Sequence, residues 1–196
     1  MKKFLVGHAA VYTGKIMKKG KVRSFGLFLG LSIITLGIYY FYWLYINLQE
    51  IKEAFTSHKN RSDIATVQKL FIVYLITSLV VMYVTVSMGT SQPDKIHPIS
   101  ILFLLIGAVV GAVFFYFYTV AIALAQSKLQ LTYFTVSDIY AYYIIGIITA
   151  FIGNFIPFLG PLGAILMFVY IYKIQQQINR IWVEGQFDVE CSKCIL

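Results

Sequence analysis

The chain of 196 residues is strongly apolar and basic: 59% of its residues are hydrophobic, 12% are charged, and the formal net charge is +8. Soluble domains carry about 25% charged residues, so this composition excludes an ordinary soluble globular protein. The aromatic residues lie inside apolar stretches, which argues against a solvated base-stacking surface and hence against a nucleic-acid partner. The composition therefore predicts an integral membrane protein, with the bilayer and its anionic lipids as partners.

Residues 1–24 form a predicted basic segment on the cytosolic side. The apolar run at its start is short and lacks a convincing cleavage site, so we expect this segment to remain in the mature protein. Each basic residue next to an anionic leaflet contributes on the order of 1 kcal/mol of attraction. Five such residues precede the first apolar segment and are predicted to contact the lipid surface, the alternative being a solvated tail that only sets topology: Lys15, Lys18, Lys19, Lys21 and Arg23.

Five apolar segments follow, at about 25–46, 67–89, 99–125, 139–156 and 161–182. Each clears or approaches the roughly 20 residues that a helix needs to cross a bilayer. We therefore predict an all-α fold over residues 25–182, a polytopic helical membrane bundle with four or five spans. Residues 183–196 are predicted to form a cytosolic tail.

The positions of the sixteen basic residues distinguish two topologies. If all five segments cross, the basic residues divide equally between the two sides. If the first segment turns back at residues 35–37, fifteen lie on one side and Lys95 alone lies on the other. Short cytoplasmic loops carry the positive excess, so we predict the re-entrant first segment, with a single ordinary span as the alternative. Both termini, 47–66 and 126–137 are then cytosolic, and 90–98 faces outward.

The block LSIITLGIYYFYWLY, residues 31–45, has a distinctive run in which T-L-G-I-Y precedes an aromatic residue and Trp43. With its flanks, from Lys21 to Lys52, it resembles the membrane family called domain of unknown function 4234. Tyr40 stands where that family is expected to carry a small residue such as glycine. The resemblance implies a small prokaryotic multi-pass protein of the plasma (inner) membrane. It implies no activity, ligand or catalytic residue.

The last two segments are predicted to form a tight helical hairpin. As one helix, residues 139–182 would measure about 66 Å at 1.5 Å per residue, so the chain must fold back. Proline and glycine disfavour a continuing helix where they cluster. The predicted turn residues are Asn154, Pro157, Gly160 and Pro161.

Small residues at four-residue spacing predict close helix packing, because they let two backbones approach. They are Gly107 with Gly111, Gly146 with Ala150, and Gly26 with Gly30. Packing inside the bundle is the first interpretation, and a homodimer or an unidentified membrane protein partner is the second. Aromatic groups at 39–45, 114–118 and 140–143, with Tyr170, Tyr172 and Trp182, are predicted to form an interfacial belt.

No catalytic, cofactor or metal residue is predicted. The central parts of the segments carry no charge, and no Ser/His, paired-Asp or HExxH pattern lies in a span. Cys191 and Cys194 supply only half of a structural zinc site, which needs about four ligands, so we interpret them as a reduced cytosolic pair. We expect a non-enzymatic membrane protein that organises lipid or protein partners. The alternative is small-solute passage, as a channel or facilitator, through broken helices; an intramembrane enzyme ranks third.

Overall fold

The computed structural model describes residues 20–54, 61–91, 98–129, 131, 135–154, 156 and 158–184. Within these ranges the chain is all-helical and contains no strand, which confirms the predicted all-α class. The six helices are α1 (Phe25–Ile34), α2 (Ile38–Ala54), α3 (Arg61–Ser91), α4 (Pro98–Lys128), α5 (Val136–Ile152) and α6 (Leu159–Glu184).

Two helices in the described part of the chain are long and apolar enough to cross a membrane. They are Ala65–Ser87 within α3 and Pro98–Ser127 within α4, while α1 and α5 are shorter apolar helices. Only 6% of the most apolar window of α3 and 22% of that of α4 is buried. A core helix of a soluble protein would be mostly buried, so this exposed apolar surface favours a membrane location.

The first apolar segment is two antiparallel helices and not one. The predicted turn at residues 35–37 is present, and Leu36 and Gly37 adopt positive φ angles of 51° and 89° there. α2 returns alongside α1, so that the ring of Phe28 lies 4.7 Å from that of Trp43. The prediction that this segment ends near residue 46 is wrong, because α2 continues to Ala54 through buried residues at three-residue spacing.

Successive helices pack side by side from α1 to α6, and α4 also contacts α6. α4 supplies much of the core, through Phe114, Phe115, Tyr118 and Ile122. α3 and α4 are longer than the predicted 67–89 and 99–125, because their polar end turns, which hydropathy does not detect, are also helical. α6 extends two residues into the predicted tail.

α5 and α6 form the hairpin predicted for the last two segments. A Cβ atom on Gly163 would collide with the backbone of Ala150, and one on Gly146 would lie 3.1 Å from the carbonyl oxygen of Gly163. Helix backbones come this close only where side chains are absent or very small. Gly146, Ala150 and Gly163 therefore set the spacing of the two helices.

The turn of this hairpin differs from its prediction. Gly160 and Pro161 belong to the first turn of α6. Proline is tolerated there because the first N–H groups of a helix have no intrahelical acceptor. Asn154 lies in the turn and donates from Nδ2 to the carbonyl oxygen of Phe151 over 2.9 Å, which closes the end of α5. Pro157 lies outside the described residues.

Candidate functional site

A polar cluster joins the segment before α1 to α2 and α6 at one end of the bundle. The guanidinium of Arg23 donates from Nη2 to Glu50 Oε1 over 2.6 Å, and from Nη1 to Glu50 Oε2 and to Asn47 Oδ1, each over 2.9 Å. On the α6 side, Asn179 Oδ1 accepts from the Arg23 backbone N–H over 3.0 Å, and Asn179 Nδ2 donates to the Arg23 carbonyl over 2.8 Å. Three elements far apart in sequence therefore meet at Arg23.

Two further side chains extend this network into the interior. Trp43 Nε1 donates to Gln175 Oε1 over 2.5 Å, and Gln175 Nε2 donates to Asn179 Oδ1 over 2.7 Å. The Arg23 cluster is defined here as Arg23, Trp43, Asn47, Glu50, Gln175 and Asn179. A hydrogen bond to a charged group is stronger than one between neutral groups, so the fork between Arg23 and Glu50 anchors the cluster.

The electrostatics of the cluster favour a lasting ion pair. The side chains of Arg23 and Glu50 are only 16% and 17% exposed. Partial burial alone would lower the pKa of the Arg23 guanidinium, but the hydrogen bond and the negative charge of Glu50 outweigh burial and raise that pKa. Arg23 therefore stays charged and paired.

Helix α4 reaches the same end of the bundle through Gln126. This buried side chain donates from Nε2 to Gln177 of α6, to the backbone carbonyl over 3.1 Å and to Oε1 over 2.9 Å. The polar ends of α2, α4 and α6 thus lie at one level.

The centre of the bundle is filled by aromatic rings. Phe115 lies 4.6 Å from Tyr143 and 5.5 Å from Tyr170, measured between ring centroids, and Tyr74 stacks on Phe114 at 4.9 Å. The predicted interfacial belt is therefore wrong for Trp43, Phe114, Phe115, Tyr118, Tyr143, Tyr170 and Trp182, which are buried. Edge-to-face and offset ring contacts stabilise such a core by more than the burial of apolar area alone, and this favours an interior position for the aromatic residues.

A cleft of about 430 Å³ lies between α2 and α3. Its lining combines apolar rings with polar side chains, and the Lys52 Nζ donates to Gln68 Oε1 over 2.8 Å across it. The lining residues are Tyr45, Gln49, Lys52, Glu53, Gln68, Phe71 and Ile72.

Residues 23–92 match the family model described as Domain of unknown function (DUF4234). The match begins at Arg23 and runs through α1, α2 and α3, so the resemblance predicted from residues 31–45 is confirmed. Comparison with curated proteins and with solved structures gave no match. The DUF4234 segment, residues 23–92, thus carries Arg23, Trp43, Asn47 and Glu50, whereas Gln175 and Asn179 reach the cluster from outside the matched range.

The basic residues predicted at the lipid surface divide into two groups. Lys15, Lys18 and Lys19 lie outside the described residues, and Lys21 is exposed. The prediction of a lipid-surface contact is corrected for Arg23, at the start of the DUF4234 segment, because its guanidinium binds Glu50 and Asn47. Cys191 and Cys194 also lie outside the described residues.

The small residues predicted at packing surfaces have different surroundings. A Cβ atom on Gly107 would lie 3.0 Å from Val81 Cγ2, and one on Gly111 would lie 2.5 Å from the Tyr143 hydroxyl, so α4 meets α3 and α5 there. Packing inside the bundle, the first interpretation, does not hold for Gly26 and Gly30 in the DUF4234 segment, and contact with a partner there stays a prediction. Among described residues, a Cβ on Gly30 would meet nothing within 4 Å, because α1 lies at the outside of the bundle.

The sequence interpretation missed most of the Arg23 cluster. Asn47 and Gln175 are both essentially unexposed. Asn47 lies just beyond the predicted segment 25–46, whereas Gln175 lies inside the predicted segment 161–182. A signal was available: Trp43 and Asn47, and likewise Gln175 and Asn179, are four residues apart and share one helix face. Such pairs on the inner face of an apolar helix indicate an internal polar contact.

Proposed function

We propose that the protein is a multi-pass integral membrane protein in which α3, α4, α5 and α6 cross and the α1–α2 hairpin is re-entrant. Large apolar side chains more than half exposed occur on all six described helices, among them Leu27, Ile34, Ile38, Ile76, Tyr83, Val109, Ile145 and Ile165. Exposed apolar surface on this scale is a liability in water and is normal against lipid.

The Arg23 cluster and the contact between Gln126 and Gln177 place the polar ends of α2, α4 and α6 at one depth. The lengths of these helices can be compared from that depth. From Asn179 to Leu159, α6 rises about 30 Å at 1.5 Å per residue, and from Gln126 to Pro98, α4 rises about 42 Å. Both lengths reach across a hydrocarbon core of about 30 Å. From Asn47 to its first residue Ile38, α2 rises only about 14 Å. These lengths support crossing by α4 and α6 and a hairpin that ends near mid-depth. α3, with 31 residues, is as long as α4, and α5, with 17 residues, lies at the short end of the range for a crossing helix.

The orientation follows from charge. Fifteen of the sixteen basic residues fall on the side of the Arg23 cluster under this topology. Because the cytoplasmic side carries the positive excess, both termini are assigned to the cytosol. The prokaryotic plasma (inner) membrane is the proposed location, as the resemblance to the DUF4234 family implies.

Within that membrane, we propose a non-enzymatic role that organises lipid or protein partners. The observation that carries this proposal is the filled interior: Trp43, Phe114, Tyr118 and Tyr170 are at most 1% exposed. Small-solute passage would need an open path between these rings. The partners proposed are anionic lipids at the basic N-terminal segment, and a second copy or another membrane protein against the helices.

Solute passage is tested in vesicles of phosphatidylcholine and phosphatidylglycerol. Glycerol and urea permeability, followed by stopped-flow light scattering, should equal that of protein-free vesicles. Trp43→Ala, which opens the core, is the control for a leak. Faster glycerol or urea entry with the unaltered protein would favour passage.

Native mass spectrometry of the detergent-purified protein tests lipid binding. Replacement of Lys15, Lys18 and Lys19 by Ser should lower the amount of phosphatidylglycerol that remains bound. Replacement of Lys52 and Lys69 by Ser, which removes positive charge from α2 and α3, is the comparison. Equal retention in both variants would contradict a lipid contact through the N-terminal segment.

A further inference from the structure

We infer that the protein is a wedge in the membrane, wider in the leaflet next to the Arg23 cluster, and that it concentrates where this leaflet is convex. The inference rests on the proposed topology. It adds a partner, the acyl chains of one leaflet, and an activity, the sensing of membrane curvature.

The turn between α1 and α2 is suited to hydrocarbon because its N–H groups are satisfied locally. Each backbone N–H from residue 35 to 40 donates to an acceptor in the turn or in the last turn of α1, at 2.7–3.1 Å. Five acceptors are backbone carbonyls: Thr35 N donates to Leu31 O, Leu36 N to Ile33 O, Gly37 N to Ser32 O, Ile38 N to Thr35 O, and Tyr40 N to Gly37 O. The sixth is a side chain, since Tyr39 N donates to Thr35 Oγ1. Unsatisfied backbone groups are not tolerated in lipid. The side chain of Thr35 supplies the acceptor that the backbone does not offer to Tyr39, so no N–H from residue 35 to 40 needs water.

The surface of this turn is apolar on its open sides. Leu36 is 94% exposed, and Ile33, Ile34 and Ile38 are also exposed. A Cβ atom on Gly37 would meet no described atom within 4 Å. Acyl chains match a tip with satisfied backbone N–H groups and outward Leu and Ile side chains, whereas water would leave this surface unstabilised.

Helix α1 adds to the width of the molecule and does not fill its interior. Phe28, facing α2, is buried, and Phe25 contacts Tyr172 of α6 at 5.1 Å between ring centroids. The opposite face is open, with Leu27 62% exposed. The leaflet next to the Arg23 cluster therefore contains six helices, while the other leaflet contains the four that cross.

The extra area in one leaflet has a mechanical consequence. Each helix with its side chains is about 10–12 Å across, so two half-length helices spread one leaflet and leave the other unchanged. Curvature that makes the wider leaflet convex relieves the mismatch. The protein should therefore accumulate in membranes curved in that sense and avoid the opposite sense.

Membrane tubes pulled from giant vesicles of phosphatidylcholine and phosphatidylglycerol test this inference. The full chain, with Cys191 and Cys194 replaced by Ser, carries either Val183→Cys or Ser91→Cys. An impermeant maleimide dye then labels only molecules with that residue outside. The measured quantity is the density of labelled protein in the tube divided by its density in the parent vesicle. This ratio should exceed 1 for Val183→Cys and should fall below 1 for Ser91→Cys. Both ratios should move further from 1 as the tube narrows.

Each outcome bears on the inference. Equal ratios for the two labels, or the reverse order, would overturn the wedge. In a double variant with both cysteines, external dye on both residues of the same molecules would show that the proposed topology had failed. Leu36→Lys should draw the tip towards the headgroups and weaken sorting, whereas Val22→Lys, outside the helices, should not. The comparison of the two labels remains decisive if Leu36→Lys does not fold.

Discussion

Arg23 and Asn47 are 24 positions apart in sequence, yet Arg23 Nη1 donates a hydrogen bond to Asn47 Oδ1 over 2.9 Å. The contact places the residue before α1 beside the polar half of α2. A single straight helix from residue 25 to 46 would hold these residues at opposite ends. The hydrogen bond therefore marks the reversal of the chain at residues 35–37, and Glu50 and Asn179 strengthen it.

The Arg23 and Glu50 pair should contribute more to stability than a second Arg–Glu pair in the same protein. Arg23→Gln leaves a mostly buried carboxylate without its charged donor, which should cost about 1.5–3 kcal/mol. Arg180→Gln removes the partner of Glu184, where the side chains are 35% and 48% exposed, and should cost about 0–1 kcal/mol. Thermal unfolding in detergent compares them, and equal losses would contradict a structural role for the Arg23 cluster.

Gly37→Val should destabilise the hairpin through the backbone. Gly37 has a φ of 89°, which a β-branched residue strongly resists, so the loss should be about 1–2 kcal/mol or more. Steric crowding adds nothing to this loss, since no atom in the described part of the chain would lie within 4 Å of a Cβ on Gly37. Gly30→Val, within α1 and equally open, is the control and should leave the melting temperature unchanged or slightly raised.

Gly111→Leu should weaken the bundle by about 1–3 kcal/mol, the usual range for overpacking. The new side chain would displace the hydroxyl of Tyr143 and press on Tyr74. Gly26→Leu tests the same change in α1, where the nearest atom to the new Cβ would be Ser24 Oγ at 3.7 Å. A melting temperature equally unaffected by both changes would refute the role of Gly111 at the contact of α4 with α5.

Cysteine labelling in intact cells should reveal the sidedness of the loops. In a variant without Cys191 and Cys194, an impermeant maleimide should label Ser91→Cys and leave Ser57→Cys unmodified, because the basic side faces the cytosol. Permeabilised cells supply the control, since both positions should then react. Labelling of Ser57→Cys alone in intact cells would reverse the orientation.

Local properties of the sequence were sufficient to predict several features. Apolar run length indicated helices, since a bilayer or a core must cover such segments. Residues 35–37 predicted a turn because Gly37 accepts a positive φ, and the charge count favoured a topology in which the two ends of that segment lie together. The DUF4234 resemblance could also be recognised from the sequence, because contiguous residues carry it.

The tertiary structure decided what depends on distant partners. Hydropathy places Asn47 just beyond the first predicted segment and Gln175 and Asn179 inside the last one, and only the juxtaposition of α2, α6 and Arg23 makes an internal network of them. The aromatic rings could have served an interface or a core, and the packing of α4 against α3, α5 and α6 placed Phe115 and Tyr170 inside. Gly30 and Gly111 share the same spacing motif, yet among the described residues only Gly111 meets a neighbour. The spacing allows close approach, and the fold determines which helix is there.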